Sequence, residues 1–155
     1  VDDAVSFLRQ VDAINQRRRD RVVDLARQSL GDLRDKNVTV LGASFKPNSD
    51  DIRDSPALDI AQRLHALGAN VRITDPKALE PVARRHPELT LEPNTEDALR
   101  DADLVLLLTE WAEYVALDPS SVKSLVRHPE IIDGRNALDP QHWRKAGWTY
   151  HGLGR

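Results

Sequence analysis

Charged side chains gather in the segment VLGASFKPNSDDIRDSP, residues 40–56, where a loop should join the first strand to the next helix. Two cations, Lys46 and Arg53, flank the pair Asp50 and Asp51. Arginine offers a planar fork for phosphate or carboxylate, and lysine offers a compact ammonium group. The loop therefore suits an anionic ligand with more than one phosphate oxygen. The alternative is a surface loop whose charges pair with one another, since such pairs are common and individually weak.

The same loop does not have the glycines of a dinucleotide-binding turn. It contains one glycine, Gly42, where G-x-G-x-x-G needs three. Asp75 ends the second strand, where such folds place the acid that holds a ribose. Without the glycine turn, a turn-forming Asp75-Pro76 is favoured. The pair Asp50 and Asp51 also resembles the phosphoacceptor site of a receiver domain. This interpretation is disfavoured, because a receiver needs a lysine after the fifth strand, where this sequence has Arg135 and Asn136.

Two further loops follow apolar strands and carry groups that could face a ligand. In DGRN, residues 133–136, Arg135 is either a second guanidinium at the cleft or part of an Asp-Gly turn. In TEW, residues 109–111, Trp111 could line a base pocket or cover the sheet edge, and packing is favoured. The five histidines show no metal-ligand spacing, so we expect no metal site.

Strand-like and helix-like segments alternate after residue 31. The predicted strands are 37–43, 70–76, 89–92, 103–109, 130–135 and 148–154, and the predicted helices are 55–68, 76–87, 94–102, 139–147 and one or two pieces within 110–128. Such alternation predicts an α/β fold, a Rossmann-like three-layer sandwich with a mainly parallel sheet. Ligands of these folds bind beyond the carboxyl ends of the strands, at the point where strand order reverses.

A long helix should precede this sheet, because apolar residues keep helical spacing from residue 1 to residue 30. At ~1.5 Å per residue it would be about 45 Å long, so its first half should project beyond the body and need another partner. The run Arg17-Arg18-Arg19 is most simply a solvated face. Subunit contact or anion binding is the alternative.

Composition limits the possible classes of protein. The chain has 155 residues, of which 40% are hydrophobic and 30% charged, which fits one domain with a sizeable core. A net charge of −3 gives no reason to expect nucleic acid as a partner. No apolar run could span a membrane, and no signal peptide is recognisable, so a cytoplasmic location is expected. The absence of Met and the start within a helical pattern predict a fragment of something larger.

Three joined segments carry a resemblance to a known family: GASFKPNSDDIRDSPAL, LLLTEWAEYVALDP and IIDGRNALDPQHWRKAGWTYHGLGR. They resemble the C-terminal domain of the UDP-glucose/GDP-mannose dehydrogenase family, and in particular its bacterial UDP-glucose-oxidising members. The first segment resembles the signature F-K-x-x-(S/T)-D-D-x-R-(D/E)-S. The resemblance implies that residues 1–31 are the second half of a central dimerisation helix and that residues 32–155 are the UDP-sugar-binding domain.

The resemblance also implies roles for individual residues. Phe45, through its backbone, and Lys46 would contact the UDP-sugar, and Arg135 would support it from a facing loop. Arg53 would reach NAD bound on an N-terminal domain that this chain lacks. No catalytic residue is assigned here.

Family members oxidise the sugar C6 alcohol to a carboxylate with two NAD, through a thiohemiacetal on a cysteine. This chain contains no cysteine, so we expect it to be inactive alone. Its partners would be the UDP-sugar, the missing NAD-binding domain and a second copy joined through the N-terminal helix. The alternatives are a GDP-mannose or UDP-N-acetylhexosamine specificity, or a stand-alone nucleotide-binding module.

Overall fold

The structure, a computed structural model, describes residues 2–154. The bounds of the elements are α1 Asp2–Leu30, β1 Asn37–Leu41, α2 Pro56–Ala66, β2 Asn70–Thr74, α3 Leu79–Arg85, β3 Thr90–Leu91, α4 Thr95–Leu99, β4 Leu104–Leu107, α5 Ala112–Val115, α6 Pro119–Val122, β5 Glu130–Asp133, α7 Pro140–Lys145 and β6 Thr149–Gly152. Every predicted element is present, and most are shorter at their ends than the pattern indicates. Within the described range, no helix is both long and apolar enough to cross a membrane.

The six strands form one sheet in the order β3-β2-β1-β4-β5-β6, and every pair is parallel. Strand order reverses between β1 and β4, which pair from Val38 with Leu104 to Leu41 with Leu107. The loops that follow β1, β4 and β5 therefore meet at one edge of the sheet. This is the place where open parallel sheets bind their ligands.

Alternation along the central strands divides the core between the two faces of the sheet. On β4, Leu104 and Leu106 belong to the cluster that packs under α1, α2 and α3. Val105 and Leu107 belong to the opposite cluster, which packs against α4 to α7. Buried apolar side chains on both faces of a strand require helices on both faces, so the predicted three-layer α/β sandwich is confirmed.

Helix α1 is in part a core helix and in part an exposed one. Val22, Val23, Leu25 and Ala26 are buried in the first core cluster. Each described side chain from residue 3 to residue 18 is exposed, as expected for a helix whose first half extends beyond the body. The large apolar side chains exposed there are Val5, Phe7, Leu8, Val11 and Ile14.

The loop between β1 and α2 is fixed at both of its ends. At its start, Gly42 has φ of +101°, and a Cβ placed there would lie 2.4 Å from the Cβ of Thr109. The single glycine of the loop is thus needed for close packing against the loop after β4. At its end, Ser55 caps α2 by accepting a hydrogen bond from the Leu58 N–H, and its hydroxyl donates to the Ala43 carbonyl at 2.7 Å.

One buried carboxylate, that of Asp75, joins the loops after β1, β2 and β4. Its Oδ2 accepts from the N–H groups of Ala43 at 2.7 Å and Ser44 at 3.0 Å, and from Trp111 Nε1 at 3.2 Å. Its Oδ1 accepts from the N–H groups that follow it, at positions 77 and 78. Asp75 therefore does form a turn, as the sequence predicts, and in addition it holds the neighbouring loops in place.

A second buried carboxylate, that of Glu130, lies at the opposite end of the sheet. Its Oε2 lies 2.8 Å from His151 Nε2, and its Oε1 lies 3.3 Å from His128 Nε2. Burial alone would raise the pKa of Glu130, but hydrogen bonds from Ser29 and His151 and the charges of the two histidines lower it below its ordinary value. Because Ser29 lies on α1, this carboxylate ties α1 to the last two strands.

We expect Asp75→Asn to lower the free energy of unfolding by about 2–4 kcal/mol. The change preserves shape, but an amide NH2 would replace one carboxylate oxygen and face at least two N–H donors. Urea denaturation measures the effect, with exposed Asp24→Asn on α1 as the matched control. A loss of less than about 1 kcal/mol would contradict the role given to Asp75.

Glu130 should make stability depend on pH in the acid range. Its folded pKa is depressed, so its contribution is complete above the ordinary value of 4.5 and is lost as the pH falls through the folded pKa. Stability measured by urea denaturation across this range should therefore fall less steeply for Glu130→Gln than for the unmodified chain. Glu80→Gln, on the exposed side of α3, should keep the original slope. Equal slopes for all three proteins would refute the assignment.

Candidate functional site

A cleft of about 670 Å³ lies between α1 and the carboxyl ends of β1, β4 and β5. Its lining comes from α1, from the first turns of α2, from the three loops and from the residue that follows β6. The lining residues are Asn15, Arg18, Arg19, Val22, Phe45, Lys46, Asp54, Pro56, Ala57, Ile60, Leu108, Glu110, Gly134, Arg135, Asn136 and Leu153. The cleft lies where the strand order reverses, so its place in the fold is that of a ligand site.

Phe45 and Lys46 line this cleft side by side in the first part of the loop that follows β1. The Phe45 N–H is donated to the Asp51 carbonyl at 2.8 Å, and the Ser44 hydroxyl donates to the Lys46 carbonyl at 3.0 Å. The loop is thus held by its own hydrogen bonds. Phe45 remains 46% exposed although it is a large apolar residue. A half-exposed aromatic ring beside an ammonium group is a suitable surface for a nucleotide.

Arg135 enters the cleft from the loop after β5 and is held in a bidentate ion pair. Its Nε lies 2.9 Å from Glu110 Oε2 and its Nη2 lies 3.2 Å from Glu110 Oε1. Both side chains are 30% exposed. Its backbone N–H donates to Asp133, a fully buried carboxylate that also accepts from the hydroxyl of Tyr150 and from the N–H of Leu138. The guanidinium group is therefore presented from a rigid loop.

Arg53 lies apart from these three residues and is not in the lining of the cleft. Its side chain is 80% exposed and makes two hydrogen bonds to Asp51, at 3.1 and 3.0 Å. These side-chain bonds, with the Arg53 N–H, lower the pKa of Asp51 to about 2. The pair faces solvent, where a second domain or a large ligand could reach it.

The prediction that Arg19 lies on a solvated face of α1 was wrong. Its side chain is only 14% exposed, with Nη2 at 3.4 Å from Asp54 Oδ1 and Nη1 at 3.4 Å from Asp59 Oδ2. Its Nε is buried without a hydrogen-bond partner among the described residues. Arg19 stands three and four residues before the buried Val22 and Val23, so helical periodicity already places it on the inner face of α1. The other two arginines of the run are exposed, and Arg18 lines the cleft.

The charges in the cleft do not balance. Its four cations are Arg18, Arg19, Lys46 and Arg135, and its two carboxylates are Asp54 and Glu110. Arg19 pairs with one carboxylate and Arg135 with the other. Within residues 2–154, Arg18 and Lys46 have no ion pair. Two cations without an ion pair in a concave site favour a ligand that carries negative charge.

Two residues that a dinucleotide site would use are occupied elsewhere. The Asp75 carboxylate is buried and faces the loops rather than a ribose. Trp111 is buried, and its Nε1 donates to Ser44 Oγ at 3.2 Å, so it packs against the sheet edge as predicted and lines no base pocket. In the described part of the chain, no group of three or more acidic or histidine side chains could hold a metal ion.

Comparison with known proteins shows the family of the chain. Residues 39–140 match the UDP binding domain of the UDP-glucose/GDP-mannose dehydrogenase family. The UDP-glucose 6-dehydrogenase TuaD of Bacillus subtilis is 37% identical over 142 residues, which are 91% of this chain and 31% of that protein. The chain spans about a third of the length of the curated relatives it matches.

Solved structures are similar over most of the chain. A UDP-glucose dehydrogenase from Pyrobaculum islandicum is 31% identical with a TM-score of 0.77, covering 92% of this chain and 31% of that one. An NDP-N-acetyl-D-galactosaminuronic acid dehydrogenase from Methanosarcina mazei is 29% identical with a TM-score of 0.74, covering 86% and 28%. The family match extends over the strands and loops that build the cleft. The chain thus belongs to the UDP-glucose/GDP-mannose dehydrogenase family, of which it contains the UDP binding domain.

Proposed function

We propose that this chain is the nucleotide-sugar-binding part of an NAD-dependent UDP-glucose 6-dehydrogenase, which oxidises UDP-glucose to UDP-glucuronate with two NAD. The observation that carries the proposal is the cleft at the switch point of the sheet, where Lys46 and Arg18 have no ion pair with any other described residue. A nucleoside diphosphate supplies the matching negative charge. Relatives named UDP-glucose 6-dehydrogenase, at 35–38% identity, support the choice of uridine nucleotide and sugar.

Lys46 and Arg135 are proposed to bind the diphosphate from opposite sides of the cleft. Lysine contributes a mobile point charge, and arginine contributes a fork whose direction is fixed. The Phe45 N–H is already used within the loop, so the groups that Phe45 has left for a ligand are its carbonyl and its ring. These three residues bind and orient. No proton-transfer role is proposed for any of them.

The chemistry of oxidation is proposed to lie outside this chain. The hydride acceptor NAD needs its own binding domain, and the thiohemiacetal needs a cysteine that this sequence lacks. Exposed Arg53 would contact NAD across the gap between the two domains, which accounts for its position outside the cleft. The division into residues 1–31 and 32–155 belongs to the same proposal, as does a cytoplasmic location.

The exposed apolar side chains of α1 are proposed to form a homodimer interface. Phe7, Leu8 and Val11 lie on one helix that extends beyond the body, and a second copy offers the same surface. Sedimentation velocity tests this directly. If the chain stays monomeric at high concentration, α1 is not sufficient to form a dimer interface, and this proposal fails.

A related specificity is the second candidate. The solved relative from Methanosarcina mazei is named for an N-acetylated sugar nucleotide, and this chain shares its fold over 86% of its length. The diphosphate contacts would be the same for UDP-N-acetylhexosamine. A GDP-mannose specificity differs in the base, so titrations with both nucleotide sugars separate it. A stand-alone nucleotide-binding module differs in that it needs no second domain.

The chain should bind UDP and UDP-glucose, and GDP-mannose more weakly, in calorimetric titrations. Lys46→Ala and Arg135→Ala should each lose about 1.5–3 kcal/mol, roughly tenfold or more in Kd, because each removes a charge-assisted phosphate contact. Mixed with UDP-glucose and NAD, the chain should produce no NADH.

Matched controls are Lys145→Ala on α7 and Arg84→Ala on α3, whose side chains are exposed away from the cleft. Both should bind like the unmodified chain. The proposal fails if no uridine nucleotide binds, or if the control variants lose as much affinity as the cleft variants do.

A further inference from the structure

Glu110 is an acidic residue in a cleft that is suited to an anion, and the family resemblance gives it no role. It lies in the loop after β4 and lines the cleft together with Lys46 and Arg135. A carboxylate at this place repels a phosphate group unless it serves another purpose. Its two oxygens contact the same guanidinium group, at 2.9 and 3.2 Å.

The geometry of the pair divides the donors of Arg135 into two sets. Glu110 occupies the side edge of the guanidinium, formed by Nε and one N–H of Nη2. One N–H of Nη1 and the second N–H of Nη2 form the end edge, which Glu110 does not contact. The remaining N–H of Nη1 points back alongside Cδ. Either edge of a guanidinium can hold two oxygens of a phosphate. Arg135 can therefore keep Glu110 and still bind a diphosphate.

Both members of the pair are attached to rigid backbone. Next to Glu110, Trp111 is buried and donates to Ser44 and Asp75. Beside Arg135, Gly134 donates its N–H to the carbonyl of Leu107 at 2.9 Å. An arginine that is already fixed loses less conformational entropy when it binds a ligand. The pair is thus arranged to order the guanidinium before the ligand arrives.

We propose that Glu110 is a positioning residue that holds Arg135 by its side edge, so that its end edge binds the diphosphate of the nucleotide sugar. The inference rests on the proposed function, because it takes a uridine nucleotide as the ligand. The opposing possibility is that Glu110 competes with the phosphate for Arg135. The two possibilities predict opposite effects of Glu110 on the affinity for the nucleotide, because a competitor weakens binding and a positioning residue strengthens it.

The test compares UDP with uridine, which lacks the phosphates. Glu110→Ala should weaken UDP binding by about tenfold in calorimetry and leave uridine binding, followed by nuclear magnetic resonance, unchanged. Glu110→Gln keeps one acceptor oxygen, so its affinity for UDP should lie between those of the unmodified chain and Glu110→Ala. In the Arg135→Ala background, Glu110→Ala should cause no further loss, because Glu110 acts through Arg135. Glu80→Ala breaks an exposed Glu–Arg pair of α3, away from the cleft, and should change nothing.

Each other outcome overturns the proposal. Tighter or equal UDP binding by Glu110→Ala would make Glu110 a competitor or a bystander. Equal weakening of UDP and uridine would mean that the loop has merely been disturbed, and an independent loss in the Arg135→Ala background would mean that Glu110 contacts the ligand itself. If the unmodified chain binds no UDP, the proposed function fails first, and this inference fails with it.

Discussion

The carboxylate of Asp75 constrains the binding edge of this molecule more than any other group described here. It accepts hydrogen bonds from the backbone N–H groups of Ala43 and Ser44 and from the indole N–H of Trp111. In a dinucleotide fold the backbone amides after the first strand are free for a pyrophosphate, and the acid after the second strand is free for a ribose. Here the amides after the first strand donate to the acid after the second strand, and the Phe45 N–H donates to the Asp51 carbonyl. Recognition of an anion must therefore come from side chains, which explains a charged loop with a single glycine.

The cations of the cleft consequently serve two different purposes. Arg19 and Arg135 are paired with Asp54 and Glu110, and these pairs connect α1 and the loop after β4 to their neighbours. Lys46 and Arg18 have no ion pair in the described part of the chain, so both are available to a ligand. Ion pairs with a solvent-accessible member contribute little to stability, so the main effect of these two pairs is on geometry. They set where the unpaired charge and the free edge of Arg135 are presented.

Much of the fold could be predicted from the sequence, because caps and periodicity are local. Ser55, Pro56 and Gly68 indicate the ends of α2, and the apolar run of β4 predicts a strand buried on both faces. The partners of side chains could not be predicted in the same way. The burial of Arg19 depends on the packing of α1 against α2, although its spacing from Val22 was a usable signal. The pairing of Arg135 with Glu110 depends on β4 and β5 being neighbours in the sheet.

Backbone amide shifts of the isotope-labelled chain on addition of UDP test the central claim most directly, because they locate the ligand residue by residue. The account predicts shifts for residues 45–46 and 134–136 and for the part of α1 around Arg18, all of which line one cleft. It predicts no shifts at the opposite edge of the sheet, near Asn70 and Asp101. Shifts centred there, or saturating UDP with no shift in the cleft, would contradict the assignment of this cleft as the uridine-nucleotide site.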